Sequence, residues 1–183
     1  SALPLTPLRR IIIEDDEFPT DQYIAQGLAS LSATQFHRVP AGEGMAALYG
    51  GGVLIKSAVN YRTAEIIDMA AWEKAAAQAG AIIVWDFSHA TGVVPVNVAA
   101  CGARLGAGCT YKYLNGGPGA PAFVYAREDI AQAILSPLPG WLGHKTPFAF
   151  DRDYVPAEHA ARFVAGTPPI LSLAALSGAL DVF

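Results

Sequence analysis

Charged residues, cysteines and long apolar runs are all scarce in this sequence. Only 15% of its 183 residues are Asp, Glu, Lys or Arg, and the net charge is −4. With no basic block, nucleic acid is excluded as an expected partner. No stretch approaches the roughly 18 uninterrupted apolar residues of a membrane-spanning helix. The opening SALPLTPLRR also lacks the basic start and apolar centre of a secretory signal.

The two cysteines, Cys101 and Cys109, match no metal-binding spacing and are too few for a disulfide scaffold. Free thiols in a reducing compartment are the favoured interpretation, so we expect a cytoplasmic protein without a metal site. Hydrophobic residues, in contrast, make up 52% of the chain, more than an average soluble domain contains. This excess predicts apolar surface that packs against a partner subunit or against further chain.

Short apolar runs alternate with helical segments along the chain. Strands are predicted at residues 9–15, 35–40, 53–59, 81–86, 104–111 and 122–126, and helices at 18–33, 68–80, about 128–135 and 168–183. This alternation predicts an α/β fold with a layered, mostly parallel sheet flanked by helices. In the first helix Thr20 is the expected N-cap. Four larger apolar residues of that helix share one face: Tyr23, Ile24, Leu28 and Leu31.

Two patterns suggest functions that their contexts do not support. The glycine-rich stretches GGPGAP and YGGG fit neither the dinucleotide nor the P-loop fingerprint, so tight turns are predicted. Asp86, Ser88 and His89 lie within four positions, but the members of a hydrolase triad come from separate elements, and no G-x-S-x-G elbow is present. The simplest interpretation of Asp86 is an aspartate that stabilises a turn after a strand.

Asp86 also ends the most hydrophobic predicted strand, and open α/β sheets bind ligands beyond such strand ends. His89 follows three residues later, and Lys112 stands between two tyrosines in CTYKYLNGGPGAP. Pyridoxal phosphate requires this pair of groups, because a lysine forms a Schiff base with it and a carboxylate keeps its ring nitrogen protonated. The spacing is compatible with that cofactor and also with a structural aspartate.

Several motifs, in the same order, resemble kynureninases, which are fold-type I pyridoxal phosphate enzymes. The motifs are FPTDQYIAQGLASL, VNYRTAEIIDM, WDFSHATGVVPV, CTYKYLNGGPGAP, GWLGH and GTPPILSL. The resemblance covers nearly the whole chain. It implies hydrolysis of L-kynurenine to anthranilate and L-alanine in tryptophan catabolism and NAD biosynthesis, with 3-hydroxykynurenine as the other candidate substrate. It also implies a homodimer.

The resemblance implies catalytic roles for three residues. Lys112 corresponds to the lysine that binds the cofactor and later moves the Cα proton of the substrate. Asp86 corresponds to the aspartate paired with the ring nitrogen. Tyr111 corresponds to a tyrosine near the cofactor phosphate that acts in proton transfer.

Further residues correspond to cofactor contacts. Phe18 matches the aromatic residue that stacks on the ring, with Asp21 as a nearby polar group and His89 beside the ring. Trp141 and Thr167 match phosphate contacts that are expected from the neighbouring subunit.

The sequence departs from the family at two positions and in its length. Ala64 stands where glycine is usual, so a positive φ there would be strained, and Arg104 stands where an acidic residue is expected. Since family members are about twice as long, residues 1–183 are expected to be a partial cofactor-binding large domain, truncated at both ends and inactive alone. The alternatives are another fold-type I enzyme, such as an aminotransferase or a desulfurase, or a non-catalytic remnant.

Overall fold

A six-stranded sheet lies at the centre of the computed structural model, which describes residues 2–183. Its strands are β1 (Arg10–Glu14), β2 (Gln35–Val39), β3 (Gly52–Ser57), β4 (Ala81–Asp86), β5 (Leu105–Cys109) and β6 (Ala122–Ala126). They lie in the order β2-β1-β3-β4-β5-β6. Neighbouring strands from β2 to β5 run parallel, and β6 pairs antiparallel with β5. The predicted α/β fold with a mostly parallel sheet is confirmed.

Within the described residues, six α-helices accompany the sheet: α1 (Pro19–Leu31), α2 (Gly44–Ala47), α3 (Met69–Ala79), α4 (Val98–Cys101), α5 (Glu128–Ala131) and α6 (Ile170–Leu180). Single 3₁₀ segments span Leu3–Leu5, Trp141–Gly143, Pro147–Ala149 and His159–Phe163. No helix within residues 2–183 has both the length and the apolar character needed to cross a bilayer.

The α3 helix shows how the sequence sets the start of a central strand. The side chain of Asp68 accepts a hydrogen bond from the Ala71 N–H at 3.1 Å, which caps the helix N-terminus. Gly80 adopts the left-handed conformation with φ 67° and ends the helix. The next residue, Ala81, begins β4, so the predicted boundaries of both elements are confirmed within one residue.

Apolar side chains of the central strands fill the core on both faces of the sheet. Leu54 and Ile83 on one face and Ile82 on the other are at most 1% exposed, and each such aliphatic side chain contributes about 1.5–3 kcal/mol. The indole N–H of Trp85 donates to Glu73 Oε1 at 2.7 Å, which gives the one polar atom of this ring a partner. β3 and β4 pair along their whole length, up to Ser57 and Asp86, and their ends carry part of the candidate site.

The first helix begins differently from the expectation. Phe18 is its N-cap residue, not Thr20, because Pro19 occupies the first helical position with a φ already suited to a helix. Thr20 therefore lies inside the first turn. This start places Phe18 itself at the corner between β1 and α1.

The buried face of α1 consists of Gln22, Ala25 and Ala29. The two alanines pack on Ile11 of β1, since their small side chains let the helix approach the sheet closely. The face formed by the larger apolar residues is exposed instead: Tyr23, Ile24, Leu28 and Leu31 are 42–88% exposed.

The helix predicted after β6 is also shorter than expected. It spans only Glu128–Ala131, although Ile134 beyond it remains fully buried.

Candidate active site

The carboxyl ends of the parallel strands bring residues from distant parts of the sequence to one edge of the sheet. Ser57 pairs with Asp86 at the ends of β3 and β4, and Asp86 pairs in turn with Ala107 of β5. Phe18 follows the end of β1 by four residues, and Lys112 follows the end of β5 by three. Loops of this edge form the ligand site in open α/β sheets.

Lys112 and His89 lie in direct contact at this edge, with Nζ 3.0 Å from Nε2. An ammonium can only donate, so Nε2 accepts the hydrogen bond and the proton of a neutral imidazole is placed on Nδ1. Burial and the nearby Lys112 lower the pKa of His89, against a weaker opposing effect of Asp86. His89 Nδ1 is buried, and no residue between 2 and 183 provides it with a hydrogen-bond partner.

Two carboxyl groups face each other beside the lysine. Asp86 Oδ1 accepts the Ser88 N–H at 2.8 Å, and the carboxyl of Asp21 lies within hydrogen-bonding reach of Asp86. Burial, then the charges of Asp86 and Glu17, raise the pKa of Asp21 to about 7, although Lys112 opposes the shift. Within the described chain Asp21 Oδ2 has no hydrogen-bond partner. Asp21 therefore keeps its proton to a higher pH than an ordinary aspartate does.

Aromatic rings surround the Lys112 amine. Its Nζ lies 5.5 Å from the centre of the Phe18 ring and 5.6 Å from that of Tyr111, both within cation–π range. Tyr61 meets Phe18 edge to face at 5.1 Å and lies 6.3 Å from His89. The rings form a partly apolar enclosure, although Tyr111 remains 48% exposed.

The loop that carries Lys112 is fixed by its own hydrogen bonds and by a close neighbour. The N–H groups of Asn115 and Gly116 donate to the carbonyls of Lys112 and Thr110, each at 3.0 Å. Gly92 has φ 89°, and a Cβ at this position would lie 2.8 Å from the carbonyl oxygen of Tyr113. Only glycine therefore lets the loop after β4 approach the Lys112 loop this closely.

A pocket of about 210 Å³ opens beside these rings. Its lining includes Asn60, Tyr61, His89, Val93 and Tyr113. Sequence reasoning left Tyr61 without a role, because nothing in a single sequence shows that this loop after β3 meets Phe18. The pocket reaches the site through His89, which contacts Lys112, although Lys112 itself is not part of the lining.

Two predicted contacts lie apart from this group. The Trp141 ring packs on Phe148 at 5.7 Å and on Phe150 at 6.3 Å in a separate aromatic cluster, and 41% of Trp141 is exposed. Thr167 is exposed before α6. Six of the eight predicted site residues thus come together, and the contribution of these two from a neighbouring subunit stays a prediction.

The two departures from the family pattern have visible structural consequences. Ala64 takes the left-handed conformation with φ 59°. This conformation is strained for alanine, as expected at a position where the family pattern has glycine. Burial raises the pKa of Glu73, and the charge of the nearby Arg104 is one of the weaker influences that oppose this shift. Arg104 Nε is buried and has no hydrogen-bond partner in the described part of the chain.

Several curated proteins that are similar to this chain are kynureninases. The chain is 46% identical to kynureninase of Deinococcus radiodurans over 188 residues, 41% to that of Pseudomonas fluorescens over 183 and 44% to that of Burkholderia mallei over 182. These alignments cover 97–100% of this chain and 44–45% of the relatives. The chain therefore spans slightly less than half the length of the curated relatives it matches.

Solved structures share the fold at much lower sequence identity. The cysteine desulfurase CsdA of Escherichia coli superposes with a TM-score of 0.79 at 18% identity, covering 99% of this chain and 47% of that one. A C-DES variant with glycine covalently linked to its PLP cofactor also gives 0.79 at 19% identity, covering 98% and 50%. The profile named Aminotransferase class-V matches residues 52–183, well over half of the sequence. The chain belongs to the Aminotransferase class-V family.

Proposed function

We propose that this chain is the cofactor-binding part of a pyridoxal phosphate enzyme that hydrolyses L-kynurenine to anthranilate and L-alanine. One observation carries the proposal: Lys112 lies beside a carboxyl pair and an aromatic face, in a chain 41–46% identical to kynureninases. Because these relatives are about twice as long, we place residues 1–183 in a large domain, within a polypeptide that also has an N-terminal segment and a small C-terminal domain. We further propose a cytoplasmic homodimer.

The polar atoms of the site suit pyridoxal phosphate. Asp21 Oδ2 and His89 Nδ1 are buried and lack partners within residues 2–183, so an acceptor and a donor are available to a bound group. A cationic ring nitrogen near Asp86 would offset the negative charge of the two neighbouring carboxyl groups. The Phe18 ring offers a flat face, and the amine of Lys112 can attach the aldehyde. Trp141 and Thr167, supplied by the partner subunit, would contact the phosphate.

Pyridoxal phosphate supplies an electron sink that stabilises negative charge at the substrate Cα. Asp86 would support that property by placing a carboxylate beside the ring nitrogen. The Ser88 N–H, which donates to Asp86 Oδ1 at 2.8 Å, fixes the orientation of this carboxylate. Asp21 adds a second carboxyl, so the local field favours a positive ring.

Lys112 is assigned the transfer of the Cα proton. Neutral His89 accepts a hydrogen bond from the lysine amine and thereby fixes where that amine points. The Phe18 ring, backed by Tyr61, covers one side of the amine, and shielding from water strengthens electrostatic interactions there. The centre of the Tyr111 ring lies 5.6 Å from Lys112 Nζ. Tyr111 is assigned a proton-transfer role near the phosphate.

The test uses the complete polypeptide that carries residues 1–183, incubated with pyridoxal phosphate and L-kynurenine or 3-hydroxykynurenine. We expect fluorescent anthranilate, or its 3-hydroxy form, to accumulate with turnover. Lys112→Ala should abolish this activity, whereas Lys74→Ala on the exposed face of α3 should retain it. No aryl product from either substrate, with sulfide released from L-cysteine instead, would contradict the proposal and favour the desulfurase alternative.

A further inference from the structure

A buried group of charges lies behind the candidate site and is not used by the chemistry assigned above. Glu14, Glu17 and Lys56 are each at most 4% exposed. Lys56 Nζ donates to Glu14 Oε2 and lies 2.8 Å from Glu17 Oε1. Burial alone would lower the pKa of Lys56, but the two carboxylates outweigh it and raise that pKa. One buried ammonium therefore balances two buried carboxylates.

Glu17 connects this group to the active-site loop. Its Oε2 accepts hydrogen bonds from the Ser57 N–H at 3.1 Å and from Ser57 Oγ at 2.5 Å. Phe18 is the next residue in the chain, and Asp21 lies in the first turn of α1 that follows. Ser57 is the strand neighbour of Asp86. One carboxylate thus joins the corner that carries Phe18 to the end of β3, which lies beside the strand end that carries Asp86.

Further contacts fix the same corner. The Glu17 N–H donates to the Glu14 carbonyl at 3.2 Å and closes the turn after β1. The Gln22 side chain donates to the carbonyls of Glu17 at 2.9 Å and Asp15 at 3.0 Å. The turn therefore has little freedom as long as the Glu17 carboxylate stays in place.

Glu14 has a different task in the group. Its Oε1 accepts the N–H groups of Gly42 at 2.9 Å and Gly44 at 2.8 Å, which fixes the loop after β2. Lys56 is the partner that Glu14 and Glu17 share, so its charge stabilises both loops at once. Without that ammonium, two carboxylates would face each other away from water, which is strongly unfavourable.

We propose that Glu17 and Lys56 are positioning residues that fix the Phe18 ring and the Asp21 carboxyl relative to Asp86 and Lys112. This inference rests on the proposed function, since the geometry that it concerns is that of the cofactor site. A displacement of about 1 Å at such a site costs about a hundredfold in rate. The expected effect is therefore on cofactor affinity and orientation in the folded protein, and not on stability alone.

The experiment compares Glu17→Gln and Lys56→Met in the complete polypeptide with matched controls on exposed residues, Glu43→Gln and Lys74→Met. Urea unfolding first establishes that each variant is folded under the binding conditions. Titration with pyridoxal phosphate then gives Kd, and the visible circular dichroism of the bound cofactor reports its orientation. We expect Kd to rise about tenfold or more in both buried variants, with a weaker dichroic band, and the controls to match the unsubstituted protein.

Ser57→Ala covers the case in which a charge variant does not fold, because it removes only the hydroxyl that contacts Glu17 Oε2. It should raise the Kd for the cofactor by about threefold or more, because Glu17 loses one hydrogen bond to its carboxylate. If the folded variants, including Ser57→Ala, bind the cofactor with unchanged Kd and dichroism, this inference is overturned while the proposed function stands. Failure of the unsubstituted polypeptide to bind pyridoxal phosphate would overturn the proposed function and this inference together.

Discussion

Replacing Asp21 by asparagine should change the pH dependence of stability in the cofactor-free protein. Burial and the neighbouring Asp86 and Glu17 raise the pKa of Asp21 from 3.8 to about 7. Asparagine has nearly the same shape but no charge, so it removes the cost of ionising this position. The substitution therefore isolates the electrostatic contribution of a single carboxyl.

The sign follows from the direction of the shift. Below pH about 4 the carboxyl is protonated in both the folded and the unfolded state, and its contribution is constant. Between pH 3.8 and about 7 the unfolded chain releases the proton while the folded protein keeps it, so the free energy of unfolding falls as pH rises. Above pH 7 both states are ionised and the full cost remains. A shift of about 3 units corresponds to about 4 kcal/mol, which partial exposure to water reduces to about 2–4 kcal/mol.

Urea unfolding followed by tryptophan fluorescence at pH 4 to 8 measures this effect. The difference in unfolding free energy between Asp21→Asn and the unsubstituted protein should grow by about 2–4 kcal/mol in favour of the variant as pH rises. Asp153→Asn, at an exposed position, serves as the control and should give a flat difference. A flat difference for Asp21→Asn as well would refute the assigned burial and charge contacts of this carboxyl.

Substitutions at three further positions test other parts of the account. Asp86→Ala should retain some cofactor binding but lower kcat by about a hundredfold or more, because the ring nitrogen loses its carboxylate; near-normal kcat would exclude the pairing. Ala64→Gly should raise the urea midpoint by an amount equivalent to about 0.5–1 kcal/mol, since glycine relieves the left-handed strain at φ 59°. An unchanged midpoint would argue against that strain. Glu73→Ala should lower the free energy of unfolding by about 1–3 kcal/mol, because the buried Trp85 N–H loses its acceptor, while Glu73→Gln should lose less than half as much.

The sequence is most informative where local signals agree with one another. An N-cap at Asp68, an alanine-rich segment and Gly80 define α3, and the apolar run that follows can only be a buried strand. The position of Asp86 at the end of that strand follows directly. Lys112 and Phe18 are far apart in the sequence, and only the motifs shared with kynureninases predict that they meet at one site.

Contacts between distant segments were not predictable from periodicity. The apolar spacing of α1 defines an apolar face but does not say which face packs, and the close approach to β1 selected Ala25 and Ala29 over the larger residues. Tyr61 contacts Phe18 across 43 positions of sequence, and Lys56 contacts Glu14 across 42. Because these partners depend on strand order and register, a single sequence carries no local signal for them.

The attachment point of the cofactor tests the central claim most directly. The complete polypeptide is incubated with pyridoxal phosphate, reduced with borohydride and digested, and the labelled peptide is identified by mass spectrometry. The account predicts one label, on Lys112, because its amine is the one held beside His89, Phe18 and the carboxyl pair. A label on Lys56 or Lys74, or no stable label after reduction, would contradict it.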